Sequence, residues 1–251
     1  MSLTHLLEGG REQLHGQTDV RLVRYVQETL ASGFPTLRSL SGRARRFQLD
    51  SYLRNAVDRD VPEQGLAVRR PDALMAWLRA YAAATSSTAG YSQIFDAATP
   101  GQGDKPARST SDAYRRVLES LWLLDPVSAW ELGGSQFTRL GRSPKHHLAD
   151  PALAARLLGL NEAKLLGTGG GPVGPEGRAV LGSMFESLAT LCIRVAAQAA
   201  EADVGHLRTR DGDHEVDLVV TREDGDVLAI EVKAAGAADD GDAKRLQWLR
   251  R

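Results

Sequence analysis

The stretch DGDHEVDLVVTREDGDVLAIEVK, residues 211–233, admits few folds. Val216, Leu218 and Val220 alternate with polar residues, and Leu228, Ile230 and Val232 do the same, which is the period of a strand with one buried face. Asp224-Gly225 marks a turn between the two runs. A two-residue turn would pair Asp217 with Val232 and set a carboxylate among core residues. A three-residue loop, Glu223-Asp224-Gly225 with Gly225 in the left-handed conformation, shifts the pairing by one. Val216 then meets Val232, Leu218 meets Ile230 and Val220 meets Leu228. The same register sets Asp217 opposite Glu231 and Glu215 opposite Lys233.

Two carboxylates facing each other across a ladder, with Cβ atoms roughly 5 Å apart, repel. A divalent cation would compensate, and hard oxygen ligands suit Mg2+ or Mn2+. Lys233, two residues beyond Glu231 on the same face, would partly neutralise the pair. On local pattern alone, a solvated outer face with a Glu215–Lys233 pair is the simpler account, because antiparallel sheets commonly keep one wet face.

Composition narrows the setting. With 42% hydrophobic and 25% charged residues, the 251-residue chain is ordinary globular material. A net charge of −1 means that any basic surface is local. Cys192 is the single cysteine, which excludes a disulfide framework, and no Cys/His set has zinc-finger spacing. Cys192 itself falls in an apolar stripe and reads as core. No apolar run approaches a membrane span, and the first residues lack a secretory pattern. The expectation is a cytoplasmic protein with no membrane partner.

Residues 1–70 read as helical, with Val20, Leu22, Val23, Val26 and Leu30 on one stripe and Phe47, Leu49, Leu53 and Val57 on another. Pro62 and Gly65 break the second pattern. The cluster Arg43–Arg46 reads as a solvated helix face. Residues 71–166 give three helices, the third over 109–124 with Ser109, Thr110 or Ser111 as cap, and then two strand-like pieces joined around Gly133-Gly134. That order is a winged helix-turn-helix pattern, with 109–124 in the recognition position. Asp150-Pro151 caps a further helix. GTGGGPVGPEG, residues 167–177, is the clearest boundary and has no P-loop lysine. Residues 178–251 give a long helix, with an apolar stripe through Leu181, Met184, Phe185, Leu188, Leu191, Cys192 and Val195, and then three strands. The fold class expected is α+β. Arg108, Tyr114, Arg115 and Arg116 at the third helix, Lys145 after the wing, and Arg208 and Arg210 beside the hairpin are candidates for DNA phosphate contact. His146 and His147 would point oppositely in a strand, which argues against a shared metal.

Asp217 followed by Glu231-Val232-Lys233 resembles the D…ExK signature of the PD-(D/E)XK nuclease superfamily, whose preceding helix often supplies a further carboxylate, here Glu186. More widely, HHLADPALAARLLGL, GSMFESLATLCI, HLRTRDGDHEVDLVV and LAIEVK resemble the C-terminal region of AAA-type ATPases known as domain of unknown function 4143, and LASGFP and VDRDVPEQG upstream resemble the junction between the ATPase lid and that region. The resemblance runs from about residue 70 to the end. It implies a winged helix followed by a restriction-endonuclease-like α/β domain. Residues 1–70 would then be the end of an ATPase lid and its linker. The Walker motif is absent and the nuclease-like unit lacks its last helix and strand, so the chain reads as a C-terminally truncated piece of a longer protein, with the ATPase domain as a partner. The resemblance further implies Mg2+ or Mn2+ held by Asp217, Glu231 and the Val232 carbonyl, completed by Glu186, with Lys233 orienting the attacking water for phosphodiester hydrolysis. The alternative it leaves open is an inactive nuclease fold that binds DNA or a protein.

Overall fold

The computed structural model describes residues 2–10, 18–99, 108–130, 143–167, 174–209, 214–236, 241 and 246. The expected segments fold as an α+β molecule. Helices come first: α1 Leu3–Leu7, α2 Leu22–Ala31, α3 Pro35–Arg38 and α4 Gly42–Asn55. Ser41 caps α4 by accepting the Ala44 N–H. Pro62 does not end this helix. A proline has no N–H to donate and its ring crowds the preceding turn. The chain accommodates it by widening into a π-helical turn, Ala56–Asp60, before α5, Val61–Glu63. The helix stops at Gly65, at φ +84, whose N–H bonds the Pro62 carbonyl at 2.9 Å.

Helices α6 (Pro71–Ala83), α7 (Tyr91–Ala98) and α8 (Arg108–Ser120) follow. α8 ends short of the expected residue 124, because Trp122 turns to φ +55 and the Leu123 and Leu124 N–H groups both close on the Leu118 carbonyl. Ser111 is not a cap; its hydroxyl lies inside the protein and accepts the Trp77 indole N–H at 2.8 Å. α9 (Pro151–Leu157) is capped by Asp150 as expected, through the Ala152 N–H. The other Asp150 oxygen accepts the Ser32 hydroxyl and the Gly33 N–H, tying the end of α2 to the start of α9. α10 (Glu162–Leu166) and the 25-residue α11 (Pro175–Ala199) complete the helices.

One apolar core joins most of them. Val26 of α2, Leu49 and Leu53 of α4, Trp77 and Leu78 of α6, Leu118 of α8, Leu153 of α9 and Met184 of α11 belong to it. The core therefore crosses both boundaries drawn from the sequence, at residue 70 and at 167–177.

The sheet is mixed, in the order β1-β2-β3-β4. β1 (Ser128–Ala129) runs parallel to β2 (Asp203–Arg208), and β3 (Glu215–Thr221) is antiparallel to both β2 and β4 (Val227–Ile230). The two strand-like pieces after α8 make antiparallel bridges, Leu124 with Leu148 and Val127 with Lys145. β1 then leaves them to join the sheet; the turn expected around Gly133-Gly134 lies outside the described residues.

Three expectations about faces are corrected. Phe47 is not core: it is 63% exposed, because Leu49 and Leu53 take the inward face of α4. On α11 Met184 is buried as expected, but the other buried positions are Ser187, Thr190 and Ala197, which lie outside the expected stripe. The small Ala197 packs against Val220 of the sheet. Cys192 and Val195 lie exposed. By length and composition α11 is apolar enough to cross a membrane, contrary to the expectation that no run approaches a span; here it packs against β2, β3 and α2.

Gly205 permits the β1–β2 pairing. A Cβ there would sit 2.8 Å from the Trp130 Cβ and 3.2 Å from the Ser128 carbonyl oxygen. Gly205→Ala should cost about 1–3 kcal/mol, the usual penalty for overpacking, read as a lower urea midpoint with an unchanged m-value.

Candidate functional site

The hairpin register places the site. Leu218 pairs with Ile230 and Val220 with Leu228, as the alternation requires. The Arg222 N–H bonds the Asp226 carbonyl and the Gly225 N–H bonds the Arg222 carbonyl, enclosing Glu223-Asp224-Gly225 as a three-residue loop. Gly225 sits at φ +93, the left-handed conformation expected of it.

Beyond Leu218 the expectation fails, and a bulge is the reason. Gly205 pairs with Val219 and Leu207 with Val216, so His206 alone stands opposite both Asp217 and Leu218. A bulge interrupts strict alternation. Val216 therefore packs with Val219 and Leu207, while Val220 packs on α11 with Ala197 and Ala200; Val216 and Val220 do not share a face. Asp217 turns to meet Glu186 of α11 through a common partner. β4 ends at Ile230, so the ladder has no Asp217–Glu231 pair. One Asp217 oxygen instead accepts the Val232 N–H at 2.8 Å. Glu231 pairs with Lys233 at 2.7 Å.

The common partner is Lys145. Its ammonium lies 2.8 Å from Glu186, 3.1 Å from Asp217 and 3.4 Å from Glu215, and the side chain is 1% exposed. The backbone holds it there on both sides. The Lys145 N–H and C=O bond Val127, and the neighbouring His146 N–H and C=O bond Ser87 and Ser86. His146 and His147 are buried too and serve different partners, the Ala89 carbonyl at 2.7 Å and the Ser187 hydroxyl at 3.4 Å.

Electrostatics follow from this enclosure. Burial disfavours the Lys145 charge, but Glu186 and Asp217, then Glu215, outweigh it and hold the proton more tightly than in a free lysine. One ammonium cannot balance three carboxylates. Burial pushes the Glu186 carboxyl up to about 7; Lys145 opposes the rise, and Asp217 and Glu215 add to it. A proton on Glu186 near neutral pH thus relieves the surplus negative charge. Burial, then Lys145, depress His147 to about 3 and His206 to about 4, so both rings are neutral in the fold.

The three oxygen ligands have the chemistry for a hard cation. The ammonium, however, already lies within 3.4 Å of all three. As arranged, these residues do not fit a divalent ion. Among the described residues, no group of three or more His, Cys, Asp or Glu side chains has metal-holding geometry.

The expected site residues thus divide. Glu186 and Asp217 converge; Glu231 and Lys233 pair with each other, and Val232 contributes its N–H. Glu215, which the alternation pairs with Lys233, stands opposite Arg208 and joins the Lys145 cluster instead. Of the residues expected to touch nucleic acid, Lys145 and Tyr114 face inward: Lys145 lies among carboxylates, and Tyr114 lies in the helical core. Arg115 lies 4.8 Å over the Tyr91 ring and 3.5 Å from Glu119. Arg208 donates to Thr88 at 2.7 Å. Arg116 is exposed on α8. Arg108 opens α8, with its side chain outside the described part, and Arg210 lies outside the described residues. No sequence signal joins Lys145 to Glu186 and Asp217, which lie 41 and 72 residues away.

Comparison with known families gives two matches. Residues 23–164, more than half of the chain, match the Domain of unknown function (DUF8612), and the chain belongs to that family. Residues 181–251 match the Domain of unknown function (DUF4143), a domain often found with AAA ATPases. The second match begins at 181, not near residue 70 as the sequence resemblance suggested. The two matches meet across the Gly/Pro stretch. No curated protein and no solved structure matches the chain.

Two measurements check these electrostatics. Lys145→Met leaves buried carboxylates without a counter-ion and should cost about 3–5 kcal/mol near neutral pH. The cost should shrink on acidification, because uncompensated carboxylates have raised pKa values and lose stability as pH rises; urea midpoints at pH 8 and pH 5 read this. For His147 the sign is opposite. Its folded pKa lies below the unfolded value, so stability present above about 6.5 is lost as pH falls towards 3. His147→Leu should flatten that slope by up to about 1.4 kcal/mol per pH unit, one proton's worth.

Proposed function

We propose that residues 175–236 form a restriction-endonuclease-like unit of PD-(D/E)XK type whose acid cluster is closed by Lys145. In this reading the chain accompanies an AAA-type ATPase motor as a binding and regulatory module that does not cut DNA. The observation that carries the reading is the Lys145 ammonium, buried at the point where the carboxylates of Glu186, Asp217 and Glu215 converge. The order of helix, strand and hairpin, α11-β2-β3-β4, supports the nuclease-like assignment. Three helices followed by antiparallel bridges support a winged-helix origin for the part before it. Lys233 pairs with Glu231 rather than standing over the cluster, which further supports a silent site.

Metal-dependent phosphodiester hydrolysis is the second reading. It is favoured by the Asp217–Val232 hydrogen bond, which holds the Glu231–Lys233 segment beside Glu186 and Asp217. The two readings make the same centre hold either an ammonium or a divalent ion, so one titration separates them. Calorimetry with Mn2+ on the 251-residue chain should show no saturable site in the wild type and a new one in Lys145→Ala. Cleavage of labelled DNA should be absent with Mg2+ or Mn2+. Saturable Mn2+ binding that Asp217→Asn removes, with cleavage that Lys233→Ala abolishes, would establish the hydrolase instead.

A further inference from the structure

The cluster Arg43–Arg46 does not behave as one solvated patch. Arg45 turns inward and closes the end of α3, donating to the carbonyls of Leu37, Arg38 and Leu40 at 2.9–3.1 Å. Arg43 and Arg46 point outward, and among the described residues neither has a carboxylate partner within salt-bridge distance. Between them and Arg54, another exposed arginine of α4, stands Phe47, the core residue the sequence led one to expect and the structure leaves 63% exposed. Arg43, Phe47, Asp50 and Arg54 are spaced four, three and four residues apart, so they line one face of the helix over roughly 16 Å.

The single acid in this stripe is already committed. Asp50 receives both forks of the Arg156 guanidinium, the second at 2.7 Å, and that contact holds its carboxyl below the usual range. The stripe is therefore positive along its length until Asp58 in the π-helical turn. A groove of about 320 Å³ flanks it on the Arg43–Phe47 side, lined by Ser41, Ala44 and Gln48. A cleft of about 390 Å³ opens on the Arg46 side, floored by Leu30, Leu49 and Ala155.

We propose that the outer face of α4 binds single-stranded nucleic acid, with a base stacked on Phe47 and phosphates at Arg43, Arg46 and Arg54. Stacking explains why an aromatic ring stands in water between cations. Every base offers a π-face, so the combination of exposed ring and flanking guanidinium groups suits an unpaired strand without sequence preference. A duplex hides its base faces and would leave Phe47 unused. An anionic lipid surface would accept the same charges, and the test separates it. The proposal deepens the reading of the chain as a binding module, but it uses none of the Lys145 cluster. Mn2+ titration and α4 variants therefore fail independently.

The experiment is fluorescence anisotropy of a labelled twenty-nucleotide thymidine strand with the 251-residue chain, across a salt series. Binding should weaken as salt rises, and Arg43→Gln, Arg46→Gln and Arg54→Gln together should reduce the log–log slope by about 2, given about 0.7 per phosphate on a single strand. Phe47→Ala should weaken binding roughly 5- to 100-fold at constant slope, and Phe47→Trp should retain it. All four side chains are exposed, so folding is checked by an unchanged urea midpoint. Failure of the strand to bind, equal binding by Phe47→Ala, tighter binding of the matching duplex, or a preference for phosphatidylserine vesicles over the strand would each overturn the proposal.

Discussion

A lysine buried among three carboxylates is the contact on which the rest of this fold turns. Its charge can exist inside only because Glu186, Asp217 and Glu215 surround it, and their charges can converge only because it is there. Lys145 belongs to the region matching the first family, and all three acids belong to the region matching the second. The ion cluster therefore ties one region to the other. Other contacts follow the same seam. Arg194 of α11 meets Asp125 at 2.6 Å, where burial raises the carboxyl's pKa and the arginine opposes the rise. Ser86 donates to the Ser183 carbonyl, and β1 pairs with β2. Buried charge is costly to separate, so these two regions are coupled and do not behave as beads on a Gly/Pro string.

What the sequence made legible was local. The three-residue loop, Gly225 and the pairing of Leu218 with Ile230 all follow from a turn and a period contained in some twenty residues. Asp150-Pro151 announced α9 for the same reason, since a cap and its proline act within one turn. The bulge at Asp217 was not legible. It arises where β2, at Gly205, is pressed against β1 and Trp130, partners far away in the chain. That one irregularity turned Asp217 away from Glu231 and undid the expected carboxylate pair. Lys145 was illegible for a similar reason: nothing in PKHHLA states which acids will surround it.

Apolar stripes misled in a different way. On α4 and α11 the periodicity was read correctly as helical, and Leu49, Leu53, Val57 and Met184 do face inward, yet Phe47, Cys192 and Val195 of the expected stripes do not. α11 buries Ser187, Thr190 and Ala197 along with Met184, while Cys192 and Val195 of the expected stripe are left exposed. On α4, Leu49 and Leu53 suffice for the core, so Phe47 is released to the surface. The spacing of apolar residues says that a helix has an apolar side; the neighbour's shape decides which part of that side is covered.

Charge placement then constrains where a polyanion could touch this protein. With all groups ionised, three carboxylates against one ammonium leave the Lys145 cluster net negative, and even a proton on Glu186 does not reverse the sign. A phosphate approaching Glu215, the most exposed of the three acids, would meet repulsion, and Arg208, which stands opposite it, already donates to Thr88. Whatever displaces Lys145 must itself be a cation. A polyanion would find its complement where cations outnumber acids and an aromatic ring stands free, and among the described residues the outer face of α4, with Arg43, Arg46 and Arg54 around Phe47 and Asp50 bound to Arg156, combines those two conditions. The same electrostatic logic that holds an ammonium in the acid cluster thus makes that cluster a poor seat for any polyanion.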